Sequence, residues 1–263
     1  MDTVITASAV LPAASRTAMT ATLRIFLREA RSEFLRLLRA PGFCVPTIAF
    51  PLMFYLLFGV LLAGHGQSAR RALAAFLVIG TMAPGLFALG ITLAVDRERG
   101  LLQLKRALPM PAGTYLAAKM AMSMAFAAIV ATLLMLTGAF AGGVVLSVSQ
   151  WSLLLALAVV AVLPFCAIGL LVGGWVKASA APAVLNLIYL PMSLLSGLWV
   201  PLAYLPHGIG QIAPLWPAWH LAQLATAVVD AAPSAGLATH LLTLAAVTAV
   251  CFALARRRLA RPR

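Results

Sequence analysis

Catalysis and metal binding need acids, bases, nucleophiles or ligands at close spacing, and this sequence is thin in all of them. Its carboxylates are Asp2, Glu29, Glu33, Asp96, Glu98 and Asp230, and no paired-carboxylate or Ser/His/Asp grouping is readable among them. The four histidines, His65, His207, His220 and His240, are scattered and make no metal pair. Cys44, Cys166 and Cys251 lie inside or at the edge of apolar segments without metal-ligand spacing, so they read as small core residues. No GxxxxGK[ST] loop for cradling phosphates occurs, so the chain has no such route to ATP. The expectation is a chain with no catalytic residue, no metal and no cofactor of its own.

Two stretches remain that could carry a mechanical role. The first runs Val-Asp-Arg-Glu-Arg-Gly-Leu-Leu-Gln-Leu-Lys-Arg-Ala-Leu-Pro-Met-Pro over 95–111, densely charged between apolar neighbours. Gly100 permits a sharp turn. Leu101–Leu108 can form a short helix, and Pro109 and Pro111 stop it. A short rigid helix there suits coupling to a partner; a solvated loop that only sets orientation is the plain alternative. The second stretch, from Leu195 through Pro206 and on to His220, carries no charge until Asp230 and is rich in Trp, Tyr and Pro. Irregular backbone at membrane depth survives only where protein or water covers it, and aromatic rings favour the interface. Short broken helices dipping into the outer leaflet are predicted, with an interfacial loop as the alternative.

The elements that hold these stretches are set by composition. The chain has 263 residues, 63% hydrophobic and 10% charged, with a mean hydropathy of +1.03. Soluble domains carry roughly 25% charged residues. Six apolar segments, at about 43–63, 72–94, 115–140, 152–175, 181–200 and 234–254, approach the roughly 20 residues a bilayer-crossing helix needs. Of the 19 Lys and Arg, all but Arg70 and Arg71 fall on one side of this six-span frame, which puts both termini in the cytoplasm. The fold expected is an all-α integral membrane domain over 19–258, with a disordered tail at 1–18 and a basic tail at 259–263. The +13 net charge is thereby a topology signal facing anionic lipid, not a nucleic-acid footprint.

Residues 20–39 differ from the spans. Leu23, Phe26, Leu27, Ala30, Phe34, Leu37 and Leu38 share one arc of a helical wheel. Arg24, Arg28, Arg31 and Arg39 flank it on one side and Arg36, Glu29 and Glu33 on the other, with Ile25 and Leu35 on the polar face. An amphipathic interfacial helix is predicted, either a simple anchor or a docking element, ended by Pro41 and Gly42.

Three motifs in this order resemble the membrane subunits of type-2 ATP-binding-cassette (ABC) exporters. The first is Arg97-Glu98-Arg99-Gly100-Leu101…Leu104…Pro109, followed by Lys119. The second is Ser196-Gly197, Pro201-Leu202, Leu205-Pro206 and Pro217…His220. The third is Arg39-Ala40-Pro41-Gly42, in which Ala40 stands where the family usually has Asn. The resemblance covers about 20–258. The resemblance implies a homodimer of permeases over two cytoplasmic ABC ATPase subunits that hold ATP and Mg, in a bacterial inner membrane. It also implies that the loop bearing Glu98 seats in the ATPase and that the Ser196–His220 stretch shapes an outer gate.

The function expected is export of an amphipathic drug-like or lipid-like substrate. Met53, Met82, Met120, Met122, Met124, Met135 and Met192 offer adaptable apolar walls in nearly uncharged spans, along a dimer seam lined by the second and fifth spans. A polysaccharide or lipo-oligosaccharide exporter is the alternative within the family. A secondary carrier or a membrane scaffold is the rival outside it; a carrier would need buried ionisable residues or internal repeats, and the sequence displays neither.

Overall fold

The computed structural model describes residues 13–107, 113–232 and 236–260, all of them in helices or their connections. Helix α1 covers Ala13–Leu38, so it begins inside the segment read as a tail. It is followed by α2 (Pro41–Leu62), α3 (Gln67–Glu98), α4 (Leu101–Ala107), α5 (Thr114–Phe140) and α6 (Val148–Trp175). Then come α7 (Ala181–Leu195), α8 (His207–Ile212), α9 (Pro217–Val229) and α10 (Leu237–Ala260). Five of these, α2, α3, α5, α6 and α10, are long and apolar enough to cross a membrane, and α7 is a shorter apolar helix.

Helix α3 is the hub. Of its most apolar window 78% is buried, against 11% for α10, so the second apolar segment is core and the last is rim. Leu73, Leu77, Ile79, Met82 and Leu86 of α3 pack with Val130 and Leu134 of α5, Leu154 and Phe165 of α6, and Leu221 and Ala225 of α9. Lipid tails are as apolar as leucine, so close packing rather than hydrophobic transfer must hold such helices together. Glycine supplies that approach where α3 meets α6. A Cβ at Gly173 would stand 2.4 Å from the Gly90 carbonyl oxygen, and one at Gly169 would stand 2.7 Å from that of Leu86. These Gly-xxx-Gly positions let two backbones touch.

Prolines shape the long helices without ending them. Pro84 removes one helical donor from the middle of α3, and the turn Pro84–Ala88 widens to π geometry there, a local adjustment that re-satisfies freed backbone groups. Ser123 of α5 donates to the Pro84 carbonyl at 3.3 Å. Helix α7 stops at Ser196 because Gly197 takes φ +75° and its amide closes on the Leu194 carbonyl. That left-handed cap explains why the fifth apolar segment yields 15 residues of helix and not the 20 expected.

Candidate functional site

A charged arm is built around the end of α3. Gly100 adopts φ +72°, the chain reverses, and α4 starts at once, with the Gln103 amide on the Gly100 carbonyl at 3.0 Å. Arg97 forks its guanidinium onto the carbonyls of Gly174 and Val176, the latter at 2.7 Å. These are among the last acceptors of α6, which no helical amide satisfies. Glu98 accepts the Ala178 amide proton at 2.9 Å. Arg97 and Glu98 therefore clasp the α6–α7 turn, which carries Lys177. Arg99 and Leu104 are exposed, Leu104 to 60%, and Leu101 is half-buried. Pro109 and Pro111 lie outside the described residues.

Directly beneath this arm sits a cluster of charges that sequence reading missed. Lys119 is fully buried, and its ammonium lies 3.0 Å from each of Glu33 Oε2 of α1, Asp96 Oδ2 and Thr92 Oγ1 of α3. Arg36 reaches Asp96 Oδ1 at 3.3 Å, and the Tyr115 hydroxyl donates to Asp96. Two earlier expectations are corrected. Glu33 does not lie on the solvated flank of the amphipathic helix: it is buried at 3% exposure, on the face where α1 meets α5. Buried ionisable residues do exist, beside the Gly100 end of α3. A charge taken from water must be paired, and here the partners come from three elements distant in sequence, which a linear reading cannot join.

The rest of α1 follows the amphipathic pattern only in part. Arg24, Arg28, Arg31 and Arg39 are exposed. Phe34 packs on Phe126 of α5 with ring centroids 5.1 Å apart, Phe43 meets the same ring at 5.8 Å, and Leu37 is buried. Leu23, Leu27 and Leu38 remain exposed, a strip that the fold leaves uncovered.

On the opposite side, the segment from Ser196 to Val229 breaks into two single-turn pieces, Leu202–Tyr204 and Ala213–Leu215, and two helices, α8 and α9. Pro201, Pro206 and the pair Trp216-Pro217 each start one of these pieces, where a missing amide costs nothing. Ser196 is buried with its hydroxyl unpartnered, and a Cβ at Gly197 would strike Leu202 at 2.7 Å. Trp199 donates to Ser193 at 2.9 Å and stands edge-on to Phe54 and Phe76. Asp230 is held by Gln67, Arg70 and Arg71 at 3.2 to 3.5 Å, which gathers all three charges of this face at one place.

The histidines are not all scattered. His220 Nδ1 lies 2.8 Å from Nδ1 of His240, and its Nε2 lies 2.9 Å from the Pro214 carbonyl. A carbonyl only accepts, so Nε2 carries the proton, His220 Nδ1 accepts, and His240 donates. The pair is buried, with Trp219 edge-on to both rings. Helices α9 and α10 pack side by side, and that juxtaposition hides behind 20 residues of sequence. Among the described residues no group of three or more His, Cys, Asp or Glu could hold a metal ion.

The remaining candidates sort by burial. Cys166 is buried, Cys44 and Cys251 partly so, and all three thiols are free. Met82, Met122 and Met192 are sealed in the core, whereas Met53 is 65% exposed; the methionines therefore do not form one continuous lining. In the half of α3 that follows Met82, Ala83, Phe87, Ile91 and Val95 are half-exposed, an i, i+4 stripe. Phe87 meets Tyr189 of α7 with centroids 5.5 Å apart, which places this stripe beside the fifth apolar segment.

These features sit within a chain whose relatives are identifiable. The family model described as ABC-2 type transporter matches residues 26–229, from α1 through the end of α9. A transport permease of Bacillus subtilis (strain 168), YvfS, is 26% identical over 202 residues, covering 75% of this chain and 82% of that protein. The matched region holds the arm, the buried charges and the broken Ser196–Val229 segment together, and the chain belongs to the ABC-2 type transporter family.

Proposed function

We propose that this chain is the permease subunit of an ATP-driven exporter: a homodimer in a bacterial inner membrane, served by two cytoplasmic ABC ATPase subunits that carry ATP and Mg. One observation carries the reading. Helix α4 is a short helix with an exposed Leu104, and the helix end that precedes it clasps the next cytoplasmic turn through Arg97 and Glu98. A solvated loop that only sets orientation needs neither the clasp nor the exposed leucine; a lever pressed by a partner uses both. The chain crosses six times in this reading, with α7 as the fifth span and both ends inside. The pieces between Ser196 and Val229 re-enter the outer leaflet as a gate: Leu221 of α9 lines one small cavity with Thr81 of α3, about 16 Å down that helix from Arg70 at 1.5 Å per residue.

The substrate assigned is amphipathic and drug-like or lipid-like, moving along a seam between two copies formed by the Phe87–Ile91 stripe and α7. Apolar walls without fixed charge suit such ligands. Purification of the chain from native membranes should bring down an ATPase. The Glu98→Arg variant should insert and fold, because the loop is at the surface, yet lose ATPase binding or uncouple hydrolysis from export; a lost charge-assisted hydrogen bond is worth about 1.5–3 kcal/mol. Unchanged transport and unchanged ATPase stimulation in that variant would remove the coupling role. Stimulation by a soluble glycan alone, with no response to lipid or hydrophobic drug, would move the assignment to polysaccharide export.

A further inference from the structure

Neither the coupling arm nor the substrate seam uses Lys119, yet it is the largest investment of buried charge in the fold. We infer that Lys119 is a positioning residue that locks α1 to the coupling arm, so that α1, the inner end of α3, α4 and the start of α5 move as one lever. This rests on the proposed ATP-driven function and adds to it the path by which force leaves the arm.

The geometry of the ammonium points to a lock. It has three donors and three acceptors at 3.0 Å: Glu33 from α1, and Asp96 and Thr92 from α3. Thr92 directs its own proton to the Ala88 carbonyl at 2.6 Å, which leaves its oxygen to accept. The other Asp96 oxygen takes Arg36 of α1, so α1 and α3 are joined twice, once through Lys119 and once directly. Sliding α1 away would leave Lys119, Asp96 and Glu33 short of partners in a site no more than 3% exposed, and an unpaired buried charge is strongly unfavourable.

The lock also sits without slack beneath the arm. Asp96 immediately precedes Arg97 and Glu98, which clasp the α6–α7 turn, and all three residues belong to the last turn of α3. The rival arrangement is a hinge at Gly100, whose left-handed turn would let α4 swing alone while α1 stays put.

The two arrangements differ in one distance. Spin labels at Ser32→Cys on α1 and Gln103→Cys on α4, both exposed positions, report it once Cys44, Cys166 and Cys251 are replaced by alanine. One labelled protomer per complex, with the co-purifying ATPase present, is compared in the nucleotide-free state and after trapping with ATP and vanadate. A lever predicts the same distance distribution in both states. In Lys119→Met the distribution should broaden and shift on trapping, and transport per ATP hydrolysed should fall about tenfold, within the usual range of coupling energies.

Should Lys119→Met fail to fold, the variant Glu33→Gln/Asp96→Asn/Lys119→Met removes all three buried charges, leaves only the solvent-accessible Arg36 without its carboxylates, and serves in its place. A wild-type distance that shifts on trapping would overturn the lever and favour the Gly100 hinge, as would full coupling in the triple variant. Failure of any ATPase to co-purify would instead bring down the function reading, and the lever with it.

Discussion

Single residues in this protein act through what they pair with rather than through reactivity. Arg97 serves because its planar fork reaches two carbonyls at once; a lysine in its place would reach one. Glu98 spends a carboxylate oxygen on the Ala178 amide, so Glu98→Gln, which keeps an acceptor, should preserve the clasp while Glu98→Ala loses it. Thermal unfolding in detergent should rank the three proteins wild type, Gln, Ala, with Ala about 1 kcal/mol below wild type; an equal drop for Gln would show that charge and not the hydrogen bond is the contribution. His220 and His240 make a second test. The two ring nitrogens stand 2.8 Å apart, and burial holds the His220 imidazole below its ordinary range. A ring kept neutral by the fold contributes stability that is lost as pH falls. Stability should drop between pH 7.5 and 5.5, by less in the double variant His220→Asn/His240→Leu. An identical drop in both proteins would assign the effect elsewhere.

Helices here are positioned by small residues and by proline as much as by large apolar ones. The α3–α6 contact depends on Gly173 facing the Gly90 carbonyl, where a methyl group would sit at 2.4 Å with backbone on the far side. Backbone cannot rotate aside as a flexible side chain can. Gly173→Ala should therefore force the helices apart and destabilise by about 1–3 kcal/mol, the usual range for overpacking. Gly208→Ala, where an added Cβ meets nothing within 4 Å, is the control and should be near neutral. Melting of the two variants in the same detergent decides it: parity between them would mean that α3 and α6 adjust freely. The segment from Ser196 to Val229 shows the converse. Four prolines and Gly197 keep any stretch between Ser196 and Val229 too short to cross, and the pieces pack instead against α2, α3 and α10 through Trp199, Leu221 and His220.

At the scale of the whole molecule, charge separates the two faces. Arg70, Arg71 and Asp230 meet at one end of α3, and Arg97, Asp96, Lys119, Lys177 and Arg258 stand at the other, where Arg258 lies over the Trp175 ring at 5.5 Å. Such a division sets membrane orientation. Reporters fused at residue 10, at Gln103 and after Arg263 should read cytoplasmic, and reporters at His65 and Ala231 should read external. A cytoplasmic signal at Ala231 would break the six-span frame and everything placed on it. In detergent the purified chain should run as a dimer, with the exposed α7 residues Leu187, Leu190 and Leu194 shielded from a lipid-phase label in the dimer and accessible in the monomer.

Composition and periodicity determined that this is an all-helical membrane protein, where its long helices run, and which stretch forms a short charged helix after the second of them. Those properties are local: a run of about 20 apolar residues is enough to define a span, and Gly100 with the leucines after it is enough to define α4. The motifs carried the family as well, because their order along the chain survives without any knowledge of contacts. Tertiary structure alone decided the pairings. Glu33 looked like a residue of a solvated flank, and His240 like an isolated imidazole, because helical wheels describe one helix at a time. Each became buried when another helix came beside it, α5 in one case and the preceding α9 in the other. Burial of a charge or a ring nitrogen has to be answered by a partner, and no pattern within a single segment records where that partner will come from.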